Sequence, residues 1–497
     1  MTSIAQRETA KVLQRTVHRQ KVKEEKVRRS PVWLGLSVFP LIALAYITLQ
    51  PATPRVRDVP IAEDELRAKI AALALPPGAE LRQNNHASDD KTKLQANLGR
   101  MVYESTWLSR DGKSSCASCH GSRSAINPPT TPARPLVNLT WQEWFGSAGA
   151  SDSLEAAVLQ AFEQPHQLDS SRAVVAAAAR ALWPKEYQAI FGTLPSSLPS
   201  VDLLVGMGGP EPQQLRLDVG VAATGLASIG SPSLLDDIIE QALREHIAPA
   251  AELAKRTLSP LKSSNPWQRQ FSQLSAGEAA AVTKVFVNLG HAVSTYIKGF
   301  VAVDSPFDQF AHRLTQGSSL NDALGNGFTT TELQGLKLFL GPGKCIACHD
   351  GVTLSDQSFH NLGLSQQGEH LDAGRAIAIL QAAANPESCL SSVVDAETDA
   401  KDCARLLTLN PQNTAALGAF RTPSLRQLAS KSRYMHDNRF PSIEAVLSYL
   451  NDPRDIPAIG HRDAQISTLE LTKEELAAIG AFLNSLNGKV INVLGES

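Results

Sequence analysis

The pattern Cys-x-x-Cys-His occurs twice in this chain, in Ser115-Cys-Ala-Ser-Cys-His120 and in Lys344-Cys-Ile-Ala-Cys-His349. Two thiols at this spacing can bond covalently to the two vinyl groups of one porphyrin, and the histidine that follows then lies against the iron as proximal ligand. A zinc site built on the same cysteines needs further Cys or His at short spacing, which neither copy has. The histidine directly after the second thiol also argues against a thioredoxin-like redox pair. The pattern therefore predicts two covalently bound haem c groups. Cys116, Cys119, Cys345 and Cys348 would attach them, with His120 and His349 as iron ligands.

With 497 residues there is room for two or three domain-sized units. Lysine and arginine number 47 against 49 acids, a net charge of -2, so there is no basic surplus of the kind that binds nucleic acid. Aromatic residues are only 5% of the chain while Ala and Leu are abundant, which favours helices over strands. The two cysteines outside the motifs, Cys389 and Cys403, lie in a polar stretch. Covalent haem attachment implies an oxidising, extracytoplasmic compartment, so a disulfide between them is expected rather than two unrelated thiols.

Residues 1–29 are a basic leader with nine Lys or Arg against three acids, and Pro31 to Leu49 then runs without a charge. That run approaches the ~20 residues needed to cross a bilayer. The basic flank should stay cytoplasmic, which makes 30–50 a transmembrane anchor and places the remainder outside. The rival is a cleaved signal peptide, because Ala43-Leu44-Ala45 resembles a cleavage site. Residues 51–95 read as a tether and a polar lead-in helix. Leu154–Phe162 and Ala173–Phe191 read as helical stretches, while 193–274 carries no recognisable chemistry and reads as an insertion. Three capping boxes, Ser275/Glu278, Thr329/Glu332 and Thr472/Glu475, predict helix starts, the second leading into the second haem motif.

Around that second motif stand Asp304-Ser-Pro-Phe-Asp308, Asp350-Gly351, Ser358-Phe-His-Asn-Leu-Gly363, Asp372-Ala-Gly-Arg375, Gly418-Ala-Phe-Arg-Thr-Pro-Ser-Leu-Arg426 and Tyr434-Met-His-Asp437. Their order resembles the bacterial di-haem cytochrome c peroxidase family, which includes enzymes that oxidise protein residues, such as the one that matures methylamine dehydrogenase. The resemblance implies a mainly α fold with two c-type cytochrome-like haem domains packed together. They would span 96–300 and 301–497, on a bacterial inner-membrane anchor that leaves both in the periplasm. It implies that a small electron donor of the cytochrome c or cupredoxin type reduces the C-terminal haem, and that hydrogen peroxide is reduced at the N-terminal one. Arg426 would pair with a haem propionate, a carboxylate that a guanidinium can grip in two places. Tyr434, Met435 and His436 would lie near the second haem or the interface between domains.

The chain also departs from the family. The Met or Tyr that the family places on the second iron, fourteen residues after the His of Tyr-Met-His-Asp, falls on Leu450, which cannot ligate iron. Either the alignment slips by one to Tyr449, another group binds, or the iron is five-coordinate. The tryptophan between the haems aligns with Ser147, with Trp144 or Trp141 as substitutes. The family's distal glutamate aligns with Gln167, whose amide cannot exchange a proton as a carboxylate does. His166 beside it is a candidate for that acid–base work. No histidine lies between His120 and His166, so the family's distal-ligand histidine is missing and the first iron is expected to be open. The segment serving the family's calcium aligns with Lys431–Arg433, so a lysine ammonium is expected in the ion's place. The alternative to a peroxidase is a di-haem electron-transfer cytochrome with an eroded peroxidatic site.

Overall fold

Each of the three capping pairs opens a helix in the computed structural model, and in each the side chain and backbone bond reciprocally. The structure describes residues 56–78, 90–121, 135–198, 271, 273–365, 372–385, 387–388, 405–406, 409, 413–457 and 459–494. The basic leader, the expected anchor at 30–50, the insertion beyond 198, and Cys389 and Cys403 lie outside the described residues. Among those residues no helix is long and apolar enough to cross a membrane. The structure therefore does not test the expected disulfide or anchor.

The fold is mainly helical, around two hydrophobic cores. The first is built by α2 (Asp90–Glu104), which follows α1 (Glu63–Leu73), by the motif turn α3 (Cys116–His120), and by α4 (Leu154–Glu163), α5 (Arg172–Leu182), α6 (Pro184–Phe191) and α7 (Ala276–Lys298). The second contains α8 (Pro306–Thr315), α9 (Leu320–Ala323), α10 (Thr330–Leu340), α12 (Ile443–Asn451), which follows α11 (Arg375–Ala384), and α13 (Lys473–Asn484). Helix α1 also belongs to the second core, through Leu66, Ile70 and Leu73. The lead-in helix is therefore packed against the half that lies farther along the chain. Antiparallel pairing of β1 (Phe300–Val303) with β4 (Lys489–Asn492) ties the connection between cores to the C-terminal region. A two-residue ladder joins β2 (Phe359–His360) to β3 (Phe420–Arg421).

The stretch Ala173–Phe191, read as one helical run, is two helices. Pro184 stands at the first position of α6, and Trp183 before it takes φ -133° and ψ 39°. A residue preceding proline is pushed out of the α region, which breaks the run there.

Both cores repeat one helix crossing. A Cβ on Gly99 of α2 would stand 1.9 Å from the Ala292 carbonyl oxygen of α7 and 3.0 Å from Tyr296 Cβ. A Cβ on Gly335 of α10 would stand 1.9 Å from the Ala478 carbonyl oxygen of α13 and 3.0 Å from Phe482 Cβ. Four residues after each glycine an aromatic ring meets the partner helix's ring edge-on, Tyr103 with Tyr296 at 5.3 Å and Phe339 with Phe482 at 5.2 Å. Each crossing places the chain to continue into its own Cys-x-x-Cys-His motif.

Candidate haem sites

Helix α10 ends at Gly341, and a left-handed Lys344 (φ 54°) turns the chain into the short 3-10 turn Cys345–Ala347. The His349 amide donates to the Cys345 carbonyl at 2.9 Å, which holds the histidine over the turn. His349 Nδ1 lies 2.8 Å from the Leu354 carbonyl. A carbonyl only accepts, so Nδ1 carries the proton and Nε2 keeps its lone pair, the form a metal-binding imidazole requires. Burial pushes His349 below its ordinary pKa, which also favours the neutral ring. Burial likewise pushes the Cys345 thiol up to about 12.

These groups line a cavity of about 310 Å³ whose walls include Leu447, Leu450, Ile466 and Leu469, with Lys344, Arg421, Lys431 and Arg439 also in the lining. An apolar slot with two thiols, a pre-oriented imidazole and nearby cations matches a c-type haem, which has an apolar ring and two carboxylate arms. Tyr434, Met435 and His436 line the same cavity, as the resemblance implies. Leu450 does too, but Tyr449 turns away: its hydroxyl donates to the Leu362 carbonyl at 3.1 Å and its ring packs on Phe440. One position along a helix swings a side chain by ~100°, so Tyr449 is not placed as an iron ligand.

Arg426 is also placed differently from expectation. It pairs with both oxygens of Asp308, at 2.9 and 3.0 Å, and donates to the carbonyls of Val352 and Leu73. Its guanidinium is thus committed within the protein, and it is the loop of Thr422, Pro423 and Leu425 before it that lines the cavity. The sequence reading also gave no role to His360. Its two ring nitrogens lie 2.6 Å from Asp463 and 2.9 Å from Asp356, on the cavity wall. Contacts with Cys348 and these two carboxylates raise its pKa to about 10. Cys348, Asp356 and His360 bring their ligating atoms within 4.8 Å of one another, as a metal site would, but the Cys-x-x-Cys-His motif assigns Cys348 to haem attachment.

The first motif sits on α3, capped by Ser115, which exchanges hydrogen bonds with Ser118 at 3.2 and 3.0 Å. The Tyr103 hydroxyl donates to the Gly121 carbonyl at 2.8 Å, fastening the end of the motif to α2. Cys116 packs against the first core, and burial pushes its thiol up to about 12. His166 and Gln167 are both exposed, on the turn after α4, where Gln167 donates to the Gln164 side chain at 2.9 Å.

Residues 141–151 reach from the first half into the second. Ser147 lines the cavity and its carbonyl accepts from the Arg421 amide at 2.8 Å. Trp144 is buried beneath the Arg375 guanidinium, which lies 4.0 Å from the Trp144 ring and 4.0 Å from that of Phe359, next to His360. Trp141 instead joins Val301 and Ile491. Of the two substitutes, Trp144 is the one directed towards the second site.

The family model described as di-haem cytochrome c peroxidase matches residues 93–204, the region holding the first motif. The chain is thus similar to the di-haem cytochrome c peroxidase family. Its cofactors are two c-type haems. Cytochrome-c peroxidase IdrP2 of Denitromonas iodatirespirans is 30% identical over 206 residues, covering 41% of this chain and 50% of that protein. This match thus spans about half of the relative's length. Methylamine utilization protein MauG of Methylorubrum extorquens is 23% identical over 442 residues, 86% of each chain. Among solved structures, the diheme peroxidase BthA from Burkholderia thailandensis E264 is 16% identical with a TM-score of 0.43, covering 79% of this chain and 86% of that one.

Proposed function

We propose that this protein is a di-haem peroxidase-type oxidoreductase in which a small redox protein reduces the His349 haem and hydrogen peroxide is reduced at the His120 haem. The observation that carries the reading is the orientation of His349, whose Nδ1–H is held by Leu354 so that Nε2 faces outward as a ligand. Bound at the two motifs, haem supplies one-electron centres and an iron at which peroxide can accept two electrons. The chain's own residues do the rest. Cys345 and Cys348 fix the ring edge, Lys344 on the cavity wall offers a counter-charge to a carboxylate, and 141–151 links the two cores. His166 is the candidate to move protons, since Gln167 cannot. The haem domains are placed in the periplasm behind an N-terminal inner-membrane anchor, and a lysine ammonium at Lys431 replaces the family's calcium.

The exposed Gln167, bonded to Gln164, favours a second reading: a di-haem electron carrier whose peroxidatic site has eroded. Peroxide turnover by the haem-loaded protein with a reduced cytochrome c donor decides between them. The peroxidase reading expects turnover that His349→Ala abolishes; full haem loading without turnover leaves the carrier.

A further inference from the structure

The loop after His349 is pinned along its length by Thr422–Arg426. Arg426 Nε donates to the Val352 carbonyl at 2.5 Å, Ser424 Oγ to the Thr353 carbonyl at 2.8 Å, and Ser355 Oγ to the Thr422 carbonyl at 2.7 Å. Among these pins stands Leu354, whose carbonyl accepts a hydrogen bond from His349 Nδ1–H and whose φ is 51°. A leucine holds that left-handed conformation only where its surroundings over-determine it.

The same guanidinium reaches the other way, into 56–78. Arg426 donates to the Leu73 carbonyl at 2.8 Å, and Asp308, paired with Arg426, accepts from the Leu75 amide at 2.9 Å. The side chains of Arg426 and Asp308 are each 1% exposed. His312 Nε2 meets the Leu75 carbonyl at 2.7 Å, and Leu66, Ile70 and Leu73 bury the helix in the second core. One buried pair therefore holds both the strap formed by 56–78 and the loop that aims the axial ligand.

We propose that Arg426 is a positioning residue for His349, and that docking of 56–78 is coupled through it to the second haem. The strap sets the guanidinium, the guanidinium sets the Val352 carbonyl, and the loop so held presents the Leu354 carbonyl to His349. A buried network of this kind keeps its geometry only while each donor is matched. Lysine at position 426 retains the charge beside Asp308 but lacks the planar fork that also holds the two carbonyls. The proposal rests on His349 as iron ligand of the second haem and is independent of peroxide reduction.

The test compares two haem-loaded, full-length variants with the parent, Arg426→Lys and the strap double variant Leu66→Ala/Ile70→Ala. The readouts are the midpoint potential and the electron paramagnetic resonance g values of the His349 haem, with the His120 haem as internal reference. Limited proteolysis within 56–78 reports release of the strap. Both variants should move the second haem's potential and g values in the same direction and leave the first haem unchanged. A response to Arg426→Lys alone, with the strap released in the double variant, would mean that Arg426 holds the loop independently of 56–78, and would overturn the coupling. No response in either would overturn the positioning role as well. Where Arg426→Lys loads no haem, Ser424→Ala, which removes one pin and leaves the buried pair intact, tests whether loosening the loop moves the second haem; no shift would overturn the positioning role. Failure of peroxide turnover in the parent would remove the peroxidase reading without altering these spectra.

Discussion

Arg375 is a cation buried between two aromatic rings, and among the described residues no carboxylate pairs with it. It donates to the Gly149 carbonyl at 2.5 Å, and burial lowers its pKa to about 10. Stacking on Trp144 and Phe359 offsets part of that desolvation, a contact worth about 2 kcal/mol when water is excluded. Gly149 is required there: its φ is 74°, and a Cβ would stand 2.5 Å from the Phe359 ring. Trp144→Phe, which keeps a π face over the guanidinium, should cost much less stability than Trp144→Ala, which should cost ~3–5 kcal/mol in urea unfolding. Equal losses would show that the ring is there only to fill space. None of this triad was legible as a unit, although Trp144 and Arg375 each drew attention in the sequence. Arg426 is a sharper case, because its partner Asp308 lies 118 residues away and both stood in motifs read separately. Residue types announce what they can bond; spacing along the chain did not say with what.

At the scale of elements, capping and motif turns were legible because their signals are local, three or four residues apart. The repeated crossing of α2 on α7 and of α10 on α13 was legible only in hindsight, as Gly-x-x-x-aromatic facing Ala-x-x-x-aromatic. Gly335→Ala drives a methyl into the Ala478 carbonyl, so it should cost at least the ~1–3 kcal/mol of an overpacked core and lower haem loading at the second motif. Gly277→Ala, in the exposed first turn of α7 with nothing within 4 Å, should stabilise by ~0.4–1 kcal/mol. Unfolding curves of the two variants give the comparison; similar effects would deny that the crossing is tight. The start of α13 carries a pH dependence. Hydrogen bonds from Arg57 lower the pKa of Glu475 to about 2, below its usual 4.5. A depressed carboxylate contributes stability above its unfolded pKa and loses it as pH falls through the folded value. Melting temperature should therefore fall between about pH 4.5 and 2, and less so in Glu475→Gln. An identical profile in that variant would assign the acid sensitivity elsewhere.

The whole chain threads the second core first, crosses to the first through α2 to α7, and returns through β1. Contacts that fix α1 span up to 353 residues, from Leu73 to Arg426. Closing loops of that length costs entropy before any contact repays it, so docking of α1 is expected to complete the second core late in folding. Nothing local in 56–78 names its distant partner, so the sequence reads 51–95 only as a tether and lead-in helix. A bound group stabilises the unit that binds it and not its neighbour. Removing the thioethers of one motif should therefore loosen one core selectively. In Cys345→Ser/Cys348→Ser, hydrogen exchange in 63–73 should rise about tenfold or more, the effect of ~1.4 kcal/mol, while α2 and α7 keep their protection. In Cys116→Ser/Cys119→Ser, α2 and α7 should loosen and 63–73 should stay protected. Exchange in 63–73 that followed the first motif instead would mean that α1 takes its stability from its sequence neighbours, and the threading would be wrong.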